Sequence, residues 1–368
     1  MIRFALYFVG EGCVVNEQEK STLMDMKTGM YSVTYEKIPY FWILKAGEYG
    51  DRVVNQTLVT HFILEGLANT AEHPIFFFFL FFLIYTITVM GNFFILLTVS
   101  LDPHLRSPMY HFLGHLSFLD ACLSTVTVPK VLAGLLTPEG KVISFGGCAI
   151  QLYLFHFLAS TECFLYTVMA YDRYLAISQP LRYPVVMSQK ICAGLAGATW
   201  ATGAIHSTIH TSLTFHLPYC GPSRIAYFFC DIPPVLKLAC TETALNELVM
   251  LANIGIVAAS CLLLIIISYV FIVASVLRIR TAVGRHRAFS TCTAHLTVVF
   301  LYYMPPICIY IQPHSSGAEI GAPAVFYTIV TPMLNPFIYT LRNKEVKRAL
   351  RRLLCHGPRE SPAISPPP

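Results

Sequence analysis

Charge is what this sequence has least of. Only 12% of its 368 residues are Asp, Glu, Lys or Arg, about half the ~25% of an ordinary soluble domain. A soluble globule of this length needs more charge than that to cover its surface. The 55% apolar and 13% aromatic content also excludes a disordered, collagen-like or coiled-coil chain. Cysteine is sparse: the 12 present are too few for a disulfide-built scaffold. Those in apolar runs, Cys122, Cys163, Cys261 and Cys308, read as buried thiols. A phosphate loop, an H-E-x-x-H run and a nucleophile elbow are all missing, so catalysis is disfavoured. What remains is an integral membrane protein.

Apolar stretches long enough to cross a ~30 Å hydrocarbon core recur near 75–100, 108–134, 146–176, 191–213, 247–277, 287–311 and 320–341. The first, opening at Pro74, is almost free of polar atoms. Seven spans imply an all-α membrane bundle. The net charge of +5 is modest, and its placement is more informative than its size. Fifteen basic residues fall in the first, third and fifth connections and the tail, from Arg106 to Arg359. Four fall in the opposite short connections: Lys130, Lys141, Arg224 and Lys237. The positive-inside tendency then puts the C-terminus in the cytoplasm and the N-terminus outside. The sequon Asn55-Gln56-Thr57 agrees, since Asn55 can be glycosylated only on the lumenal side.

Residues 1–52 read as a poorly ordered extracellular extension, or as sequence added by an upstream start codon. Met1 to Val9 is short and apolar, but no small-residue cleavage site follows it, so a cleaved signal peptide is not expected. Residues 53–355 form the seven-span domain, and 356–368 a Pro-rich cytoplasmic tail. Within the spans, Asp120 and Glu162 are carboxylates that each cost ~2.5–3.5 kcal/mol at the bilayer centre on insertion scales. Such groups face one another, a cation or a polar cavity, or else form a hydrogen-bonded packing cluster. Pro305, Pro306, Pro332 and Pro336 favour kinks. Val346, Ala349, Leu350, Leu353 and Leu354, with Lys347, Arg348, Arg351 and Arg352 between them, make an amphipathic helix on the inner leaflet. Cys355 follows as a palmitoylation candidate. Cys148, Cys220, Cys230 and Cys240 face the oxidising side, where two disulfides can form in three pairings.

Five motifs in order resemble those of vertebrate olfactory (odorant) receptors, the rhodopsin-like G-protein-coupled class, of tetrapod type. They are Leu101 to Tyr110 continuing to Leu116–Asp120, Met169 to Ser178, Ser268-Tyr269, Arg287 to Leu296, and Pro332 to Lys344. The resemblance covers about 53–355. Arg106, Ser178, Arg287 and Met304 stand where the family usually has His, Cys, Lys and Gly.

The resemblance implies an ion or proton site at Asp120 and Glu162 with Asn92 and Asn335 nearby, holding sodium or a proton and no other metal or cofactor. It implies disulfides Cys148–Cys230 and Cys220–Cys240. It implies an activation switch of Asp172, Arg173, Tyr174, Tyr269, His295, Asn335, Pro336 and Tyr339. No acid stands on the sixth helix near Arg285-His286-Arg287, so an inactive-state restraint must come from Asp172, Tyr269 or His295. The implied ligand pocket comprises Phe155, His156, Ala159, Ser160, Asn253, Val257, Tyr303 and Tyr310, with Tyr327 less securely. Phe155 lies eighteen residues before Arg173, where amine receptors carry Asp, so biogenic amines are disfavoured. The set suits a small volatile with one hydroxyl, ether or carbonyl group. For each polar residue, interhelical hydrogen bonding competes with ligand contact. His206 and His210, like His111 and His115, lie four apart, but two ligands fall short of a zinc site.

The function expected is odorant reception, with a stimulatory olfactory-type G protein, membrane lipid and receptor-trafficking chaperones as partners and no nucleic acid. The rival is a seven-helix transporter or channel that uses Asp120 and Glu162 as an ion path. A transporter shows two similar halves, and this sequence has none. A third possibility is a receptor that is made but never reaches the cell surface.

Overall fold

The computed structural model describes residues 59–66, 73–220, 223–311 and 324–356. The sequon at Asn55, residues 1–52, the tail beyond His356, and the side chains of Tyr310 and Cys355 lie outside the described residues. All described residues belong to one compact unit, 57–368.

Helices α1 (Pro74–Leu101), α2 (Pro108–Leu136), α3 (Phe145–Ser178), α4 (Gln189–Phe215), α5 (Ala244–Leu277) and α6 (Ala282–Ile311) follow in order. The seventh is described from Ala324; a π-helical turn, Phe326–Val330, leads into α7 (Thr331–Arg342), and α8 (Lys344–His356) ends the described chain. The first six expected spans lie inside these helices, which coincide with them or run up to five residues further at each end, and the seventh begins before the described residues. Proline marks the starts of α1, α2 and α7, where its missing N–H costs nothing.

By length and composition α1, α2, α3 and α5 can each cross a membrane. In α1 and α5 only 22% of the most apolar window is buried. Phe76, Phe79, Ile256 and Leu263 all point outward. Apolar surface on this scale is stable only in lipid. Helix α3 is the axis of the bundle, packing against α2, α4, α5 and α6. Helix α7 closes the ring against α1, α2 and α6.

Two details of the ring follow from single residues. Pro332 has no N–H to offer Thr328, and the preceding Thr331 N–H reaches five residues back to Phe326 O, which produces the π turn. Gly91 of α1 lies where a Cβ would sit 3.1 Å from the Pro336 ring, so α1 and α7 approach closely.

An element absent from the sequence reading lies at one end. Strand β1 (His61–Leu64) pairs antiparallel with β2 (Val142–Ser144) and parallel with β3 (Arg224–Ile225), giving the order β2-β1-β3. The architecture is thus a helical bundle with a small sheet at the end opposite α8. Phe62 of β1 is fully buried, its ring 5.8 Å from Phe145 and 5.7 Å from Tyr219. Glu65, next after the strand, pairs with Arg224.

Candidate functional site

Beneath the sheet, the connection between α4 and α5 folds down onto α3. Cys148, in the first turn of α3, is bonded to Cys230 with Cα atoms 5.5 Å apart, and Cys220 is bonded to Cys240 at 5.7 Å. Gln151 Oε1 accepts the Cys230 N–H at 2.9 Å, and Gln151 Nε2 donates to Val126 O of α2 at 2.9 Å. One amide therefore ties the loop to two helices.

This tether brings Phe229 against Phe155, ring centres 4.6 Å apart, with Tyr327 of the seventh helix on the other side at 6.2 Å. Asp231 then reaches His156, whose Nε2 lies 3.1 Å from Asp231 Oδ1. The same oxygen accepts the N–H of Ile232 at 2.8 Å, capping the short helix Ile232–Leu236.

One turn deeper, Ser160 Oγ and His206 Nδ1 are 2.8 Å apart. The rings of His206 and His210 lie 4.6 Å apart, and His156 and His210 6.4 Å. Asn253 of α5 lies beside the two α4 imidazoles, and its Oδ1, His206 Nε2 and His210 Nε2 are buried without a hydrogen-bond partner among the described residues. Four of the expected ligand residues thus meet here: Phe155, His156, Ser160 and Asn253. Ala159 is engaged through its carbonyl, which accepts from Tyr302 OH at 2.6 Å. Tyr303 OH lies 3.0 Å from Cys163 Sγ, within the bundle. Val257 is half-buried and packs on the core.

Asp231, His206, His210 and Tyr302 stand in this cluster beside the expected residues. The four-residue spacing of His206 and His210 is visible in the sequence, where by itself it reads only as a metal signal. Asp231 was findable too: it follows the cysteine tied to Cys148, two helical turns from His156. The cluster does hold a carboxylate, that of Asp231, although Phe155 occupies the α3 position considered for one.

Midway along the bundle, Asn335 Nδ2 donates to both oxygens of Asp120 at 3.0 and 2.9 Å. Tyr166 OH donates to Glu162 Oε1 at 2.6 Å. The two carboxyl groups abut one another. No N–H or O–H of the described residues reaches Glu162 Oε2, and Asn335 Oδ1 and Ser124 Oγ are likewise buried without a partner. These oxygens are hard donors, the set a sodium ion takes, and two touching carboxyls can equally hold a shared proton. The remaining expected member, Asn92, donates its Nδ2 to Pro332 O at 3.1 Å and Thr88 O at 3.0 Å, and its Oδ1 is buried with no partner among the described residues. Pro332 O would ordinarily accept the N–H of residue 336, but that residue is proline, so the carbonyl is left to the Asn92 amide.

At the α8 end of the bundle, Arg173 is largely buried and pairs with Asp172, its Nε donating to Oδ2 at 2.9 Å. Tyr183, in the one-turn helix Tyr183–Val186, donates to Asp172 Oδ1 at 2.8 Å. Burial and the charge of Asp172 push the Tyr183 hydroxyl up, so it remains a donor. Tyr269 OH and His295 Nδ1 lie 2.8 Å apart and bridge α5 to α6. Tyr174 packs on Phe271 of α5 at 5.8 Å, and Tyr339 is buried with its hydroxyl unpartnered among the described residues. Ser178 accepts from Ser275 Oγ at 2.8 Å, which gives a use to a residue that departs from the family pattern.

Comparison with known proteins settles the family. Residues 81–357 match the family model described as Olfactory receptor. The chain belongs to the olfactory receptor family. It is 77% identical over 314 residues to Olfactory receptor 10S1 of Homo sapiens, covering 85% of this chain and 95% of that one. Olfactory receptor 10G7 and Olfactory receptor 10G4 of Homo sapiens are 57% and 56% identical, each covering 81% of this chain and 96% of their own. The receptor is therefore a multi-pass plasma-membrane protein of the seven-transmembrane, rhodopsin-like G-protein-coupled class. It is a signalling protein and not an enzyme.

Proposed function

We propose that this receptor binds a small volatile with one hydroxyl, ether or carbonyl group beneath the tethered loop, and thereby activates a stimulatory G protein that raises cyclic AMP. The observation that carries the ligand reading is the contact of His156 with Asp231 beside the Phe155–Phe229 pair. A flat or short apolar ligand packs on the two phenyl rings, while its single polar group exchanges hydrogen bonds with His156, Ser160 or His206. Pockets of this type are mostly apolar with a few placed polar groups. Because the loop contributes Asp231 and Phe229, a ligand that displaces them alters how α3, α4 and α5 meet.

The signalling reading is supported by the α8 end. Arg173 is held by Asp172, and Tyr269 and His295 join α5 to α6; separating α6 from the bundle breaks the second contact and frees the first for a partner. Asp120 and Glu162 share a sodium ion or a proton between these two regions, with Asn335 linking them to α7. The N-terminus lies outside and α8 on the cytoplasmic leaflet, as the placement of basic residues favours. Trafficking chaperones assist its export.

The test is cyclic AMP output in cells co-expressing the stimulatory G protein and trafficking chaperones, with a volatile panel and surface levels matched. The receptor responds, Arg173→Ala is silent, and His156→Ala shifts the half-maximal concentration at least about tenfold, the value of one lost hydrogen bond to a buried polar group. A full response from Arg173→Ala refutes the switch. A ligand response that His156→Ala and Asp231→Ala both leave unchanged refutes the pocket.

A further inference from the structure

A second concavity lies on the outer wall of the bundle, between α1, α2 and α4, away from the ligand cluster. It is a groove of about 960 Å³. Its mouth is at the α8 end, where Arg106, Ser107 and Pro108 enter α2 and Pro184, Ser188 and Gln189 lead into α4. Its deeper wall is mostly apolar, with Leu96 and Val99 of α1, Phe118 of α2, and Cys192 and Trp200 of α4, and it carries two imidazoles, His111 and His115 of α2.

The mouth is electropositive. Arg106 is exposed and forms no ion pair among the described residues. Ser107 and Ser188 are the N-cap residues of α2 and α4, yet neither hydroxyl bonds its own helix. Two helix N-termini, each with a partial positive charge and N–H groups to satisfy, therefore border the same opening as the guanidinium. The depth is also specific. Ser107 to Phe118 and Gln189 to Trp200 are each eleven residues of helix, roughly 16 Å at ~1.5 Å per residue. That is one leaflet of a ~30 Å hydrocarbon core. At the lower end the Trp200 Nε1–H donates to His115 Nδ1 at 3.2 Å, so the polar edge of the indole is satisfied and its face is left to apolar contact.

We propose that this groove binds one phospholipid with an anionic headgroup. Arg106 and the two helix N-termini hold the headgroup, and one acyl chain runs down the wall to Trp200. A neutral ligand would gain nothing from the charged mouth. In the orientation proposed above the groove opens on the inner leaflet, where anionic lipids reside; the assignment of leaflet rests on that reading, and the preference for a headgroup does not.

The chain has 2 tryptophans, Trp42 and Trp200, so Trp42→Phe leaves a single indole in the groove. The full-length Trp42→Phe receptor is placed in phosphatidylcholine nanodiscs containing dibrominated phosphatidylserine or dibrominated phosphatidylcholine, whose bromines quench indole on contact. Brominated phosphatidylserine is expected to reach half-quenching at about a fivefold lower mole fraction, the factor one basic residue near an anionic surface provides. Arg106→Ala brings the two lipids together, Arg106→Lys keeps the preference, and Arg280→Ala, outside the groove, leaves it unchanged. Equal quenching by both lipids in the parent, or a preference that survives Arg106→Ala, overturns the proposal. Displacement of both lipids by an equal fraction of sterol does so as well. The assay uses neither odorant nor G protein, so its failure and a failure of the signalling reading are separately visible.

Discussion

Gly203 sits at the closest approach of α4 to α3, and replacing it with alanine has a cost that can be worked from the coordinates. A Cβ at this position would lie 2.2 Å from Thr161 Oγ1, 3.0 Å from Phe157 O and 3.1 Å from Thr161 N. The first neighbour is a side chain, but it is already committed, since Thr161 Oγ1 donates to Phe157 O at 2.7 Å. The other two are backbone and cannot rotate away, so the helices must part. Overpacking of this kind costs ~1–3 kcal/mol. Separation also strains two bonds one turn away: Ser207 Oγ to Tyr153 O at 2.6 Å, and Ser160 Oγ with His206 Nδ1 at 2.8 Å. Hydrogen bonds between membrane helices average ~0.6 kcal/mol each. Against this, alanine is the better helix former by ~0.8–1.0 kcal/mol. The balance is a loss of about 2 kcal/mol, concentrated where the ligand cluster is held together.

The receptor carries its own probes for the measurement. Cys163, Cys192, Cys261 and Cys292 are free and buried, so a thiol-reactive dye labels them only as the bundle opens during a denaturant titration. Gly197→Ala is the control, because nothing lies within 4 Å of a Cβ there, and it should equal the parent or exceed it slightly. Thr161→Ala combined with Gly203→Ala removes the shortest contact and leaves the backbone contacts, so it recovers only part of the loss. If Gly203→Ala is as stable as Gly197→Ala, the close α3–α4 approach is wrong and the histidine cluster built on it falls too.

Three further outcomes are expected. Phe62→Ala should cost ~3–5 kcal/mol of cooperative stability, because this ring is wholly buried between Phe145 and Tyr219, whereas Glu65→Ala loses an ion pair with the exposed Arg224 and should cost less than about 1 kcal/mol; comparable losses would mean that β1 is not seated on the bundle. For Asp102, burial opposes ionisation, but the His104 N–H at 2.9 Å and Arg352 at 2.6 Å outweigh it and hold the carboxyl below its ordinary value of 3.8. A group lowered on folding adds stability above its unfolded value and loses it as pH falls through the folded one. The hydrogen-exchange protection factor over α8, with the intrinsic pH dependence divided out, should therefore be flat from neutral pH down to ~5 and fall only below ~4, with Asp102→Asn showing the lowered protection already at neutral pH. Finally, replacing sodium by choline should lower the thermal stability of the parent and leave Asp120→Asn unaffected. An identical parent curve in both salts excludes a sodium ion between Asp120 and Glu162 and leaves the shared proton.

The membrane class, the number of spans, the amphipathic α8 and the family were all legible along the chain, because each depends on residues close together. An apolar run is long enough or it is not, and the family's motifs are contiguous. The pairing of Asp120 with Asn335, more than two hundred residues away, was reached through those motifs and not through any local pattern. The sheet left no such mark. Strands of four, three and two residues show no alternation, and β1 finds its partners about eighty and one hundred and sixty residues later. Asp231 meets His156 because a disulfide pulls a loop down, and Asn92 turns to Pro332 because the proline at 336 has no N–H for that carbonyl. Gly203 reads as an ordinary glycine until α3 lies against it. The groove at Arg106 is made by the ends of three helices, none of which forms it alone. Local chemistry decides which segments enter a membrane as helices; which side chains then face one another depends on how rigid helices and tethered loops pack, and only the folded bundle holds that information.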